Sequence, residues 1–571
     1  MKYIKYIKSI LNKKEKIKII YITLLMMVNT FFELLSVGMI LPIINILLKK
    51  DLSFLPENIY NFTEQFAYID LVKILIGFII LIYLIKNLFI IFYHYQQGLF
   101  LRNLQIRVVG DLFEKYIYQN YSFFLQKDLG TILRNVNTSR VVSLCILSYM
   151  TVFLEIIIVT CFLIYLLYLN FLSTIIISSI FLFFSSGLYL ITKKKLYEWG
   201  SQKQEYDAKI NQQIIQVFSL IKNIKIFNKE KKFTDFLKKI LFNYENLTLK
   251  TDIVQQLPRG MSEVLGIICI SLLILILSLM GKTSTEIVVL AAIYAAVAYR
   301  LIPSSTRIIA AAQRIKNYGP SLELVKNEFI TTKNNISNYD TQNKKLRFNK
   351  IEFDNVDFHY NKNEKNIFSN ISISINRGEV IGILGESGSG KSTFINLISG
   401  LIKPTKGKIK INSEDLENTK NNWLSCLGYV PQQVTLFNDT IANNISFFEE
   451  KKDNNKFQEN LESVIKKVNL KDFINSLPEK ENTEVGENAA KLSGGQIQRI
   501  GISRALFNDP EFIIFDESTN SLDEKNEISI MDFIYSLKNS KTVLIISHKK
   551  SILEKCDKIY EVKDKKINLV K

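Results

Sequence analysis

Cysteine is scarce in this chain and forms no pattern. The five cysteines among 571 residues are Cys145, Cys161, Cys269, Cys426 and Cys556, and no two stand in C-x-x-C spacing. That argues against a metal site and against a disulfide framework. Acidic charge is also short: 54 Asp and Glu face 72 Lys and Arg, for a formal net charge of +18. Basic chains often bind nucleic acid, but here the lysines are spread along the chain, and its Lys-, Asn- and Ile-rich composition looks like that of a low-GC genome. No nucleic acid partner is expected. A cleavable leader is not expected either, because the first apolar run is too long for a signal-peptide core and lacks a small-residue cleavage site.

Long apolar runs are what the first 330 residues have in abundance. Segments at about 19–48, 141–168, 171–192 and 261–280 are each long enough to cross a hydrocarbon layer of about 30 Å as a helix. Two more, at about 71–96 and 286–308, cross only if Lys86 and Arg300 are taken to membrane depth. Lysine clusters such as Lys193-Lys194-Lys195 put the N-terminus and the loops 97–140 and 193–260 on the cytoplasmic side. Those loops are polar yet helical in pattern, so the helices are expected to run on into the cytosol. The polar stretch 331–349 reads as a linker, and 350–571 as a second domain.

An intramembrane cation costs about 2.5–3.5 kcal/mol at a helix centre and needs a reason. At 1.5 Å per residue, Lys86 and Arg300 both lie roughly 20 Å from the outer ends of their spans and share a level. Arg307 is two turns deeper, and Arg259 opens the fifth span, with Glu33 and Glu263 available as partners. These four cations read either as a cavity for an anionic head group or as snorkelling and internally paired side chains.

The second domain opens its chemistry at Gly385, Glu386, Ser387, Gly388, Ser389, Gly390, Lys391, Ser392 and Thr393. This is G-x-x-x-x-G-K-[ST] between an apolar strand, Val380 to Leu384, and a helix start, Phe394 to Ile398. Its backbone N–H groups and helix N-terminus suit nucleotide phosphates. Lys391 would reach the β- and γ-phosphates, and Ser392 would ligate Mg²⁺. Further on come Ser493, Gly494, Gly495 and Gln496 in an LSGGQ segment, then the apolar strand Phe512–Phe515 ending in Asp516 and Glu517. Asp516 suits Mg²⁺, Glu517 a general base for the attacking water, and His548, after another apolar strand, a contact to the γ-phosphate.

This ordered set resembles the nucleotide-binding domain of ABC (ATP-binding cassette) transporters. The resemblance implies that Tyr360 stacks on adenine and that Gln432, in Tyr429-Val430-Pro431-Gln432, touches Mg²⁺ and faces the membrane domain. It implies two ATP molecules sandwiched between two copies of the chain, with each LSGGQ closing on the other copy's P-loop. For the first 330 residues it implies a six-helix exporter fold, with coupling helices near Tyr121–Ile132 and Ser219–Phe227. No N-terminal cysteine-protease domain of the kind carried by some peptide exporters is expected.

Stretches such as Glu33-Leu34-Leu35-Ser36-Val37-Gly38, Leu257-Pro258-Arg259-Gly260 and Tyr299-Arg300-Leu301-Ile302-Pro303 are similar to those of bacterial flippases for lipid-linked oligosaccharides. That resemblance implies a polyprenyl-pyrophosphate glycan as substrate, with Lys86, Arg259, Arg300 and Arg307 as its phosphate contacts, in a bacterial inner membrane. An exporter of another substrate, such as a lipid A-like lipid, a peptide or a drug, and a non-transporting ABC ATPase are the alternatives.

Overall fold

The computed structural model describes residues 2–38, 68–331, 346–360, 366–449, 453–486, 492–518 and 524–571. The expected end of the first span at 39–48, the outer loop to 67 and most of the linker lie outside the described residues. The chain divides into two compact units, Met1–Gln119 with Phe123–Ile336, and Asn120–Ser122 with Ser337–Lys571.

The first unit is entirely helical among its described residues. It runs α1 (Lys2–Ile10), α2 (Lys13–Gly38), α3 (Tyr68–Ile117), α4 (Tyr121–Gln126), α5 (Leu129–Thr138), α6 (Val141–Leu169), α7 (Phe171–Ser219), α8 (Ile221–Ile226), α9 (Glu230–Leu279), α10 (Ser284–Asn317) and α11 (Gly319–Thr331). Among the described residues, six helices, α2, α3, α6, α7, α9 and α10, have windows long and apolar enough to cross a membrane. Helices α3, α7 and α9 continue about as far again through polar sequence. Of the two expected coupling segments, the first is split, with α4 and α5 separated at Lys127–Asp128, and the second is the single helix α8.

Short caps set the tight turns. Asn170 accepts a hydrogen bond from the Ser173 N–H at 3.1 Å and starts α7 one residue after α6 ends. Gly281, with φ +71°, closes α9, and Thr283 and Glu286 form a reciprocal capping box that starts α10. Pro303 lies inside α10 and donates no N–H. The Ser305 and Thr306 hydroxyls bond the Ile302 and Pro303 carbonyls beside it, both at 2.7 Å.

The second unit is built on two sheets. Strands β1 (Lys350–Phe358), β2 (Phe368–Asn376), β4 (Lys406–Ile411) and β5 (Glu414–Asp415) form an antiparallel sheet in the order β2-β1-β4-β5. Strands β3 (Val380–Leu384), β6 (Leu427–Val430), β7 (Phe512–Asp516), β8 (Thr542–Ser547), β9 (Lys558–Lys563) and β10 (Lys566–Leu569) form the other, in the order β10-β9-β3-β8-β7-β6. All its pairings are parallel except β9–β10. Strands β3 and β8 are buried at every position, which is why they read as unbroken apolar runs. Helix α12 (Lys391–Ile398) follows β3, and α17 (Gly494–Leu506) precedes β7; α13 (Leu416–Leu424), α14 (Ile441–Ser446), α15 (Asn454–Lys467) and α16 (Lys471–Asn475) fall between them, and α18 (Glu524–Ser536) and α19 (Lys550–Leu553) follow.

Candidate functional site

The strand order assembles the chemistry of the second unit. Because β8 lies between β3 and β7, with β6 outside β7, the carboxyl ends of four parallel strands stand in a row. They carry, in that row, the P-loop, His548, the Asp516–Glu517 pair and Gln432. Ligands of open parallel sheets bind off these ends. Register places Leu384 beside Ser547 and Asp516 beside Ile546.

Within that row the side chains close on one another. Lys391 Nζ donates to the carbonyls of Gly385 at 2.8 Å and Glu386 at 2.9 Å, and lies 3.3 Å from Glu517 Oε1. Gln432 Nε2 donates to Glu517 Oε2 at 2.9 Å, and the Tyr429 hydroxyl donates to Asp516 Oδ2 at 3.2 Å. Burial pushes the Asp516 carboxyl above its ordinary range and the neighbouring Glu517 charge adds to that, while the Tyr429 hydrogen bond opposes it. The Tyr429 phenol is itself pushed up, by burial and by Asp516. Glu517 has φ +44°, a left-handed backbone that a residue with a long side chain seldom adopts, and its N–H bonds the Ile546 carbonyl at 3.0 Å. Such a conformation fixes where the carboxylate leaves the strand.

The P-loop needs its glycines. Gly390 caps α12 at φ +109°, where a Cβ would stand 3.0 Å from the Phe368 ring. Ser392 is exposed in the first turn of α12, and Ser389 Oγ is buried with no hydrogen-bond partner, so the loop keeps an unspent hydroxyl as well as its N–H groups. With Asp516 and Gln432, Ser392 makes a set of hard oxygen donors, which fits Mg²⁺ rather than a softer metal. Tyr360 is 40% exposed, rests edge-on against Phe358 and shares a 3.2 Å hydrogen bond with Thr393.

In the LSGGQ segment, Ser493 is the N-cap of α17. Its Oγ accepts from the Gln496 N–H at 3.3 Å, and its own N–H donates to Gln496 Oε1 at 2.7 Å. The motif is a capping box, so the glycines between them, Gly494 and Gly495, present the first turn of a helix. That is an arrangement suited to an anion.

In the first unit each of the four cations singled out from the sequence has a carboxylate near it. Arg300 on α10 is paired with Glu33 on α2, and Arg307 on α10 with Glu155 on α6. Lys86 on α3 is within electrostatic reach of both Glu33 and Arg300 and lies over the Tyr83 ring. Arg259 is 3.5 Å from Glu263, one turn on, and both are largely exposed, a geometry that contributes little. On the opposite side of α10, Phe181, Leu273, Ile302 and Ile309 line a cavity of about 250 Å³ that offers hydrocarbon and no charge.

Comparison with known proteins agrees with both halves. The family described as "ABC transporter transmembrane region" matches residues 19–298, and the one described as "ABC transporter" matches 368–520. The chain belongs to the ABC transporter family. It is 36% identical over 211 residues to the ATP-dependent lipid A-core flippase of Bordetella avium, covering 37% of this chain and 35% of that protein. It is 42% identical over 221 residues to the alpha-hemolysin translocation ATP-binding protein HlyB of Escherichia coli, covering 38% and 30%. The chain thus matches about a third of the length of these curated relatives. In fold it is similar to a bacterial Atm1-family ABC exporter solved with ATP bound, with a TM-score of 0.77 and 19% identity over 97% of this chain and 94% of that one.

For an ABC transporter of this kind, the sequence names each residue that the strand order brings into this row, because each sits at the end of an apolar strand or in a contiguous motif. It did not locate Tyr429 as a partner of Asp516, although the residue lies three positions before Gln432. Nor did it pair Arg307 with Glu155, because Glu155 stands alone in an apolar run, 152 residues away in sequence.

Proposed function

We propose that this chain is an ATP-driven transporter of the exporter type that works as two copies in a bacterial inner membrane, with the N-terminus and ATPase unit in the cytoplasm. The substrate we infer is a lipid with a phosphate-bearing head, a polyprenyl-pyrophosphate glycan. The row of Lys391, His548, Asp516, Glu517 and Gln432 at four adjacent strand ends supports the ATPase. Lys86, Arg300 and Arg307, held midway along membrane-crossing helices, support the anionic head group, since a neutral drug would need no charge at that depth.

The residues divide the work. Tyr360 offers a ring face to the adenine. The phosphates compete with the Gly385 and Glu386 carbonyls for the donors of Lys391 and take the N–H groups of the loop. Ser392, Asp516 and Gln432 would hold Mg²⁺, which when bound supplies charge neutralisation across the phosphate oxygens. Glu517, oriented by its backbone and by Gln432, accepts the proton of the attacking water, and His548 stands beside the γ-phosphate. The first turn of α17 in the second copy closes the site through Ser493, Gly494, Gly495 and Gln496.

A lipid A-like substrate is the second reading. Several curated relatives are named lipid A-core flippases, and that lipid also bears phosphates. ATP-dependent movement of polyprenyl-pyrophosphate oligosaccharide across proteoliposomes, with E517Q as the inactive control, tests the first reading. Healthy ATPase without movement of that lipid would defeat it.

A further inference from the structure

Two carboxylates of the membrane unit, Glu33 and Glu155, are buried among the described residues and take no part in the ATPase. Side-chain exposure is 7% for Glu33 and 5% for Glu155, against 24% for Arg300 and 41% for Arg307. In both pairs the acid is the more buried member and the arginine the more exposed one. The two arginines stand seven residues apart on α10, on one face of that helix, while their acids come from different helices, α2 and α6. Arg307 gives Nε and Nη2 to the two oxygens of Glu155, and Nη2 lies 3.3 Å from Ser304 Oγ. Arg300 gives Nη2 to Glu33, and its Nε is buried with no hydrogen-bond partner. Lys86 shares the field of the same Glu33. Among the described residues, Arg300, Arg307 and Lys86 thus gather around Glu33 and Glu155, and Arg300 Nε is a buried donor left unspent.

We propose that Glu33 and Glu155 are counter-ions that an anionic head group must outcompete for Arg300 and Arg307, and that they set the selectivity of the site. The inference rests on the phosphate-lipid reading above. A guanidinium at this depth needs a negative partner, and the carboxylates keep the arginines charged and in place. A phosphate presents several oxygens to a planar fork and more charge than a carboxylate, so it can take over the guanidinium edge. A neutral lipid has nothing to exchange and leaves both pairs closed. Because the acids lie on α2 and α6, the same exchange loosens α10 from two helices at once, so head-group arrival biases the helix arrangement through differential contacts.

The test is binding of three probes to the full chain in nanodiscs: polyprenyl pyrophosphate, a bisphosphorylated acylated disaccharide and neutral polyprenol. E33Q and E155Q should tighten the phosphate lipids by about fivefold or more and leave polyprenol unchanged. The double variant E155Q/R307Q, which removes the charge from both members of one pair, should lose the gain. It also serves where E155Q alone fails to fold, as judged by thermal unfolding of each variant. Folded E33Q and E155Q that bind phosphate lipids no tighter than wild type overturn the counter-ion role, and the substrate reading survives if wild type binds polyprenyl pyrophosphate. A response to the disaccharide but not to polyprenyl pyrophosphate keeps the counter-ions and overturns the polyprenyl substrate. Binding of neither phosphate lipid by any variant overturns both.

Discussion

Glu517 is held by its backbone, by Gln432 and by Lys391, and each restraint comes from a different strand end. A carboxylate so oriented is placed to act as the base proposed above. E517Q is expected to keep ATP binding and lose roughly 10²–10⁴ in hydrolysis rate; phosphate release at saturating nucleotide measures it, and near wild-type release would remove the assigned base. Tyr429 makes a subtler case. Its hydroxyl favours the charged form of Asp516, which burial already disfavours. In Y429F the Asp516 pKa rises further, so a smaller fraction is ionised at any given acidic pH. The acid limb of ATPase activity should move to higher pH, and the Mg²⁺ concentration for half-activity should rise. Identical pH and Mg²⁺ profiles in the two proteins would show that Asp516 does not depend on this donor. The P-loop was legible residue by residue because its chemistry is contiguous in sequence. Tyr429 was not, because its role depends on which strand β6 pairs with.

At the scale of elements, helices α7 and α10 pack at a point where no side chain fits. A Cβ on Gly200 would stand 2.1 Å from the Asn317 carbonyl oxygen, a backbone atom that cannot swing aside. G200A is therefore expected to destabilise the membrane unit by about 1–3 kcal/mol, read as a lowered unfolding temperature in detergent. An unchanged melting curve would mean that the helices separate at little cost. The apolar runs revealed the spans, but not the lengths of α3, α7 and α9, because the second halves of α3 and α7 and the first half of α9 are polar on most faces. Their helical period pointed to continuation into the cytosol without locating where α9 begins or where α4 gives way to α5. The capping box of α17 is a local signal, Ser493 and Gln496 three residues apart at a helix start.

For the whole molecule, the ion pairs of α10 join segments 267 and 152 residues apart. Breaking one leaves a charge stranded. R307E places a second acid against Glu155 and should cost about 3–5 kcal/mol, whereas the swap E155R/R307E should recover much of it. Thermal unfolding of both variants decides it, and equal stability would show that the pair carries no structural weight.

The sequence by itself determined the class of this protein. Strand-ending motifs and long apolar runs are local properties, set by backbone hydrogen bonding and by the length a bilayer requires. Only the tertiary structure decided the partners: that Glu155 meets Arg307, that Tyr429 reaches Asp516, and that β8 stands between the P-loop strand and the strand that ends at Glu517. Those contacts depend on strand order and helix packing, in which residues distant in the chain are chosen by fit rather than by spacing.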